Sequence, residues 1–289
     1  MKEMLPGGAV MKKRRYYEGR GVKITARRKA VARDATKFFR SVCRKDSGGE
    51  TMYQYILFDL DGTLTDPKIG ITTCVQYGLH KMGIEEPDLD KLEPFIGPPL
   101  LDSFMTFYGM SEEQAEQAIA FYRERFSVKG LFENKVYPGI PEVLGSLKQA
   151  GRKLAIASSK PTVYVRQILA HFSIESYFDV IVGSELDGRR SRKEEVVEEA
   201  LRQLLPEKLF EERKQYAERR TAGQQTGDGA EEACIAMVGD RKFDVEGAKE
   251  YGIVSVAVAY GYAQPGELEE AGAEVIAPSV EKLGEVLMA

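Results

Sequence analysis

The chain has 289 residues, of which 43% are hydrophobic and 30% charged, with a net charge of −4. This length suits one large domain or two modest ones with a sizeable core. The charge is uneven. Residues 1–50 hold 15 Lys/Arg against 5 Asp/Glu, a net +10, so the remainder must carry −14. An acidic body argues against general nucleic-acid binding by the folded part. No run of about 18 apolar residues is present, which excludes a helical membrane span. The start of the chain lacks the apolar stretch of a secretory signal. Cys43, Cys74 and Cys234 form neither a C-x-x-C pair nor a disulfide framework, the pattern of a reducing, cytoplasmic setting.

In chain order, residues 1–51 are a basic extension with some helical potential between Thr25 and Lys45. Two functional readings are an arm for an anionic partner and an Arg-rich targeting peptide. The plainer reading is preferred: a disordered tail, or sequence upstream of a natural start at Met52. Tyr55-Ile56-Leu57-Phe58 then reads as a buried strand. It ends in Asp59-Leu60-Asp61-Gly62-Thr63, a polar turn with a glycine where backbone must approach a ligand closely. Two carboxylates at the end of a buried strand are costly unless a cation or a reacting group offsets them. In open α/β sheets that end is where ligands bind.

From Ile69 to about Gln149 the pattern is helical, with Ile71, Val75, Leu79 and Met82 at three- and four-residue spacing. Ser111 and Gln114 make a capping box ahead of a helix carrying Ala115, Ala118, Ile119 and Tyr122 on one face. Gly97-Pro98-Pro99 is either a loop facing substrate or a plain link between helices. The aromatic residues Phe104, Phe107, Tyr108, Phe121, Tyr122 and Phe126 are read as packing, as are His80 and His171. Further strands are expected at Lys153–Ala157, Asp179–Val182, Cys234–Val238, Val254–Ala259 and Glu274–Ile276. Helices lie between them, one of which carries Val196, Val197, Ala200 and Leu201. Strands alternating with helices predict a doubly wound parallel sheet. Residues 206–232 break this rhythm and read as an exposed, partly disordered insertion.

Four strand ends therefore present polar groups in order: Asp59 and Asp61, Ser158, Lys193, and Asp240 with Asp244. This order resembles the four signatures of the haloacid dehalogenase (HAD) superfamily. The resemblance covers residues 53–289 apart from the 206–232 insertion. Ile96-Gly97-Pro98-Pro99-Leu100, Ser158-Ser159-Lys160-Pro161 and Gly239-Asp240-Arg241-Lys242-Phe243-Asp244 are similar to its phosphoglycolate phosphatase-like and 5′-nucleotidase-like branch. The resemblance implies a Rossmann-like core at 52–67 and 138–289 with an inserted all-helical cap at 68–137. It also implies a Mg²⁺-dependent phosphatase acting on a small phosphorylated metabolite. Asp59 would be the nucleophile and Asp61 the general acid and base. Asp59, the Asp61 carbonyl, Asp240 and Asp244 would ligate Mg²⁺. Ser158 and the Ser159 N–H, at a helix N-terminus, would bind phosphate together with Lys193.

Each residue also has an ordinary reading: Asp59 as a turn residue, Ser158 as a helix cap, Lys193 as a solvated charge, Asp244 as a cap of the helix that follows. Arg241 and Lys242 are expected to orient the Asp240 loop or lie at its rim. Alternatives on the same scaffold are a sugar phosphomutase, and a phosphonatase with Lys68 or Lys81 as the Schiff-base lysine. A dehalogenase is disfavoured by Asp61, whose extra carboxylate suits phosphoryl chemistry. A non-catalytic protein binding through its basic arm is a further alternative. Oligomeric state and the exact substrate stay open.

Overall fold

In the computed structural model the described residues are 53–223 and 234–289. The basic extension, Met52 and part of the 206–232 segment lie outside them. Strand β1 (Tyr53–Phe58) leads into a two-residue strand β2 (Thr65–Asp66) and helix α1 (Lys68–Lys81). A 3₁₀ segment over Leu89–Phe95, helices α2 (Leu100–Tyr108) and α3 (Glu112–Arg125), and a π-helical turn over Phe126–Gly130 follow. Next come β3 (Lys135–Val136), α4 (Ile140–Gln149), β4 (Lys153–Pro161), α5 (Thr162–His171) and β5 (Val180–Ser184). The remainder is α6 (Lys193–Leu204), α7 (Glu207–Thr221), β6 (Cys234–Gly239), α8 (Lys242–Glu250), β7 (Val254–Val258), α9 (Glu267–Glu270), β8 (Val275–Ala277) and α10 (Val280–Met288).

Six strands form one parallel sheet in the order β5-β4-β1-β6-β7-β8. Strand β1 is its pivot, because the chain winds outward through β4 and β5 on one side and through β6, β7 and β8 on the other. Such a reversal opens a crevice at the carboxyl ends of the strands on either side of it. An uninterrupted apolar β1 follows from this central place, since both of its faces are covered. Ile56 and Phe58 pack with residues of α4, α5 and α10, and Leu57 packs on the opposite face with α6 and Phe210. Each such side chain contributes about 1.5–3 kcal/mol on full burial.

All the helical residues between β2 and β3 form one insertion. Strands β2 and β3 pair antiparallel, Thr65 with Val136 and Asp66 with Lys135, and so hold the chain's exit and return side by side. Within the insertion, Ser111 and Gln114 close the expected capping box. Gly70 lets α1 approach the π turn, where a Cβ would come within 2.2 Å of the Gly130 carbonyl oxygen.

Two expectations are corrected. Residues 207–221 are not an exposed, disordered excursion: they form α7, which buries Phe210, Arg213 and Ala217. Its charged residues are the solvent face of an amphipathic helix, and three buried positions in fifteen leave a weak apolar signal. Strand β4 also runs past its expected end at Ala157 to Pro161, so Ser158 and Ser159 are strand residues and not the N-terminus of the helix, which begins at Thr162.

Candidate active site

Asp59 leaves β1 with its backbone N–H still bonded to the Val238 carbonyl of β6, at 2.8 Å. The chain then tightens at once: the Leu60 carbonyl accepts from the N–H groups of Thr63, Leu64 and Thr65. This loop leaves Gly62 at φ 78°, where a Cβ would lie 2.1 Å from Asp240 Oδ2. Only glycine allows the backbone that close to the acid.

Asp240, at the end of β6, is wholly buried. Its Oδ2 accepts from the Tyr262 N–H at 2.7 Å, while its Oδ1 has no hydrogen-bond partner among the described residues. Asp244 lies in the first turn of α8, and its Oδ2 accepts from the Arg241 N–H at 3.0 Å. It therefore caps the helix, its ordinary reading, and also faces the other acids. Oxygens of Asp59, Asp240 and Asp244 all lie within 4.8 Å of one another.

Lys193, the first residue of α6, reaches into this group. Its Nζ is 3.1 Å from Asp59 Oδ1, 2.7 Å from Asp244 Oδ1 and 3.0 Å from the Ala157 carbonyl oxygen. Burial works against its charge, yet the Asp244 and Asp59 carboxylates outweigh that and hold its pKa above the usual lysine range. Burial likewise pushes Asp240 well above the carboxylate range, with Asp244 and Asp59 adding to the effect. For Asp244 burial raises the pKa to about 6 against the pull of Lys193. One lysine does not balance three buried carboxylates, and Asp240 Oδ1 is left bare. An all-oxygen cluster with an orphaned acceptor fits a hard divalent cation.

Asp61 stands a little apart from these acids. Its Oδ2 lies 2.8 Å from Lys160 Nζ, and its Oδ1 has no hydrogen-bond partner among the described residues. Burial raises its pKa, and Lys160 opposes the rise. Asp61, Ser159 and Lys160 line one wall of a cleft; Gly97-Pro98-Pro99, Tyr122, Arg123 and Phe126 of the insertion line the facing wall. The Gly97-Pro98-Pro99 segment thus both links two helical segments and borders the cleft. Tyr122 and Phe126 belong to the packed interior and the cleft wall alike. Ser158, expected at a helix N-terminus, is instead buried in β4, where its Oγ accepts from the Lys160 N–H at 3.4 Å.

Two residues escaped the sequence reading, and a third was left between two roles. Lys160 stands inside the Ser158–Pro161 motif with no role of its own there, although a period of two puts it on the same face of β4 as Ser158. Tyr262 holds Asp240 through its backbone, which no side-chain pattern reveals. Arg241, expected to orient the Asp240 loop or lie at its rim, is buried rather than at the rim: it pairs with Glu267 at 2.8 Å and donates to the Ile96 carbonyl of the insertion. The other lysines singled out lie outside the cleft. Lys68 pairs with Asp90 and Glu93, and Lys81 is exposed beside the Tyr77 and Phe121 rings. His80 is exposed and pairs with Glu85, and His171 lies against Phe132 and Phe172.

A doubly wound parallel sheet with an acid-lined rim and a helical insertion after its first strand defines a Rossmann-like α/β core. The chain belongs to the haloacid dehalogenase-like hydrolase family, whose model matches residues 56–258. It is 46% identical over 216 residues to a 5′-nucleotidase of Pseudomonas aeruginosa, covering 75% of this chain and 87% of that protein. It is 36% identical over 248 residues to the tyrosine-protein kinase PtkA of Mycobacterium tuberculosis, covering 84% and 75% respectively. Among solved structures, a predicted phosphatase from Clostridium acetobutylicum superposes with a TM-score of 0.69 at 44% identity, covering 82% of this chain and 98% of that one.

Proposed function

We propose that this hydrolase is a Mg²⁺-dependent phosphatase of small phosphate monoesters, of the phosphoglycolate or nucleoside monophosphate class. The observation that carries the proposal is the group of three buried carboxylates within 4.8 Å of one another, with Lys193 between two of them. Asp59, the Asp61 carbonyl and Asp240 would hold the ion, with Asp244 bound directly or through water. When bound, it neutralises charge on the transferring group and on the carboxylates.

Asp59 forms a bond to phosphorus as the ester P–O bond breaks, giving an aspartyl phosphate. The departing oxygen keeps the bond's electron pair and takes a proton from Asp61. Asp61 then accepts a proton from the water that attacks phosphorus, which frees phosphate and restores Asp59. Ser158 and the Ser159 N–H remain the proposed phosphate contacts, now offered by strand backbone, and Lys193 is the fixed charge beside Asp59. The insertion acts as a cap: it closes over the cleft and excludes water. Its aromatic wall suits a planar base, and Arg123 is the cation a carboxylate would need. The cysteine pattern supports work in the cytoplasm.

Phosphate release is the test, measured over nucleoside monophosphates, phosphoglycolate, sugar phosphates and an aryl phosphate. Activity requires Mg²⁺, stops with EDTA and falls to background in Asp59→Asn. Failure on every substrate contradicts the reading. A parallel incubation with ATP and a tyrosine-containing peptide covers the kinase relative; phosphotyrosine there would redirect the acceptor from water to a hydroxyl.

A further inference from the structure

We propose that Lys160 is the positioning residue for Asp61, fixing which of its two oxygens exchanges a proton with the substrate. The inference rests on the phosphatase reading and adds to it a residue outside the acid cluster. Lys160 lies near the end of β4, with its side chain only 7% exposed. Its Nζ is 2.8 Å from Asp61 Oδ2. On its other side it lies 4.5 Å from the centre of the Phe126 ring, which stacks on Tyr122 at 5.0 Å.

The chemistry follows from which atoms are engaged. A lysine ammonium only donates, so the oxygen it meets serves as an acceptor. Any proton carried by Asp61 is then placed on Oδ1, the oxygen with no hydrogen-bond partner among the described residues. That is the form a carboxyl must take if it is to hand a proton to a departing alkoxide and next receive one from water. A buried ammonium also needs compensation, and here it comes from two places: the Asp61 carboxylate on the core and the Phe126 π face on the insertion. The π turn that starts at Phe126 is what carries this ring on beyond α3. Lys160 is aligned on Asp61 while the insertion is seated, so proton transfer is coupled to a closed cleft. Lys193 does not do this work, because its Nζ faces Asp59, Asp244 and the Ala157 carbonyl.

The test compares two substrates in Lys160→Met: an alkyl phosphate, whose departing oxygen needs a proton, and p-nitrophenyl phosphate, whose departing oxygen does not. The quantity read is kcat/KM, which reports steps up to the first irreversible one. General acid catalysis contributes roughly 10²–10⁴-fold, so the alkyl-to-aryl ratio of kcat/KM is expected to fall by at least about tenfold. Lys160→Arg, which keeps a donor near Oδ2, restores part of the ratio. Lys160→Gln is read in the same way should the Met variant not fold by circular dichroism. Equal losses on both substrates, or no loss, overturn the inference and leave the phosphatase reading intact. A wild-type enzyme inactive on both substrates overturns the two together.

Discussion

At the scale of single residues, the site depends on backbone approaching carboxylate as much as on the carboxylates themselves. Gly62 at φ 78° faces Asp240 Oδ2 across a gap that a methyl group would close to 2.1 Å. Adding a Cβ there carries a left-handed strain of about 1–2 kcal/mol, and Asp240 has to move. Gly62→Ala is therefore expected to raise the Mg²⁺ concentration for half-maximal phosphate release by at least about tenfold, the scale typical of losing a ligand's support. A Mg²⁺ titration of activity measures this. An unchanged half-maximum would mean that Asp240 does not meet the ion. Asp59, Asp61, Lys193 and Asp240 were all legible as strand or helix termini rich in charge. Lys160 was hidden because a lysine in a polar turn looks solvated until its burial and its partner are known.

Among the elements, α7 is the one that composition misrepresents. Lys, Arg and Glu fill most of Glu207–Thr221, yet Phe210 packs with Leu201 and Tyr251, and the Arg213 guanidinium donates to the Gly252 carbonyl at 3.2 Å. Phe210→Ala is expected to cost about 3 kcal/mol, the lower end for a large core aromatic because the ring lies at the edge of the packed interior. That lowers the melting temperature by several degrees, at about 2–4 °C per kcal/mol for a chain of this size. Phosphate release at 25 °C should stay as it is, since α7 contributes no side chain to the acid group or to the cleft. A melt indistinguishable from wild type would mean that α7 is not docked. The β2–β3 ribbon was equally beyond a periodicity argument, because two-residue strands carry no period. The six main strands, by contrast, were readable from short apolar runs bounded by turns.

For the whole molecule, the sheet order explains why residues so distant in sequence meet. Strands β4 and β6 flank β1, so the ends of all three open on the same crevice, and α6 delivers Lys193 to it from the side. The insertion leaves and re-enters through the paired β2 and β3, and the Arg241 contact with Ile96 and the Arg123 bond to the Leu186 carbonyl at 3.1 Å bridge it to the core. The winding order could be argued from alternating strands and helices, whereas the identity of the contacts between insertion and core needed coordinates. What this assembly is proposed to achieve is one covalent event. The direct measurement is peptide mapping of the enzyme after rapid acid quench during turnover of a phosphate monoester with Mg²⁺. The account predicts a phosphoryl group on Asp59 alone, absent when EDTA replaces Mg²⁺; phosphate on another residue, or turnover with no phosphoenzyme at any time point, would contradict it.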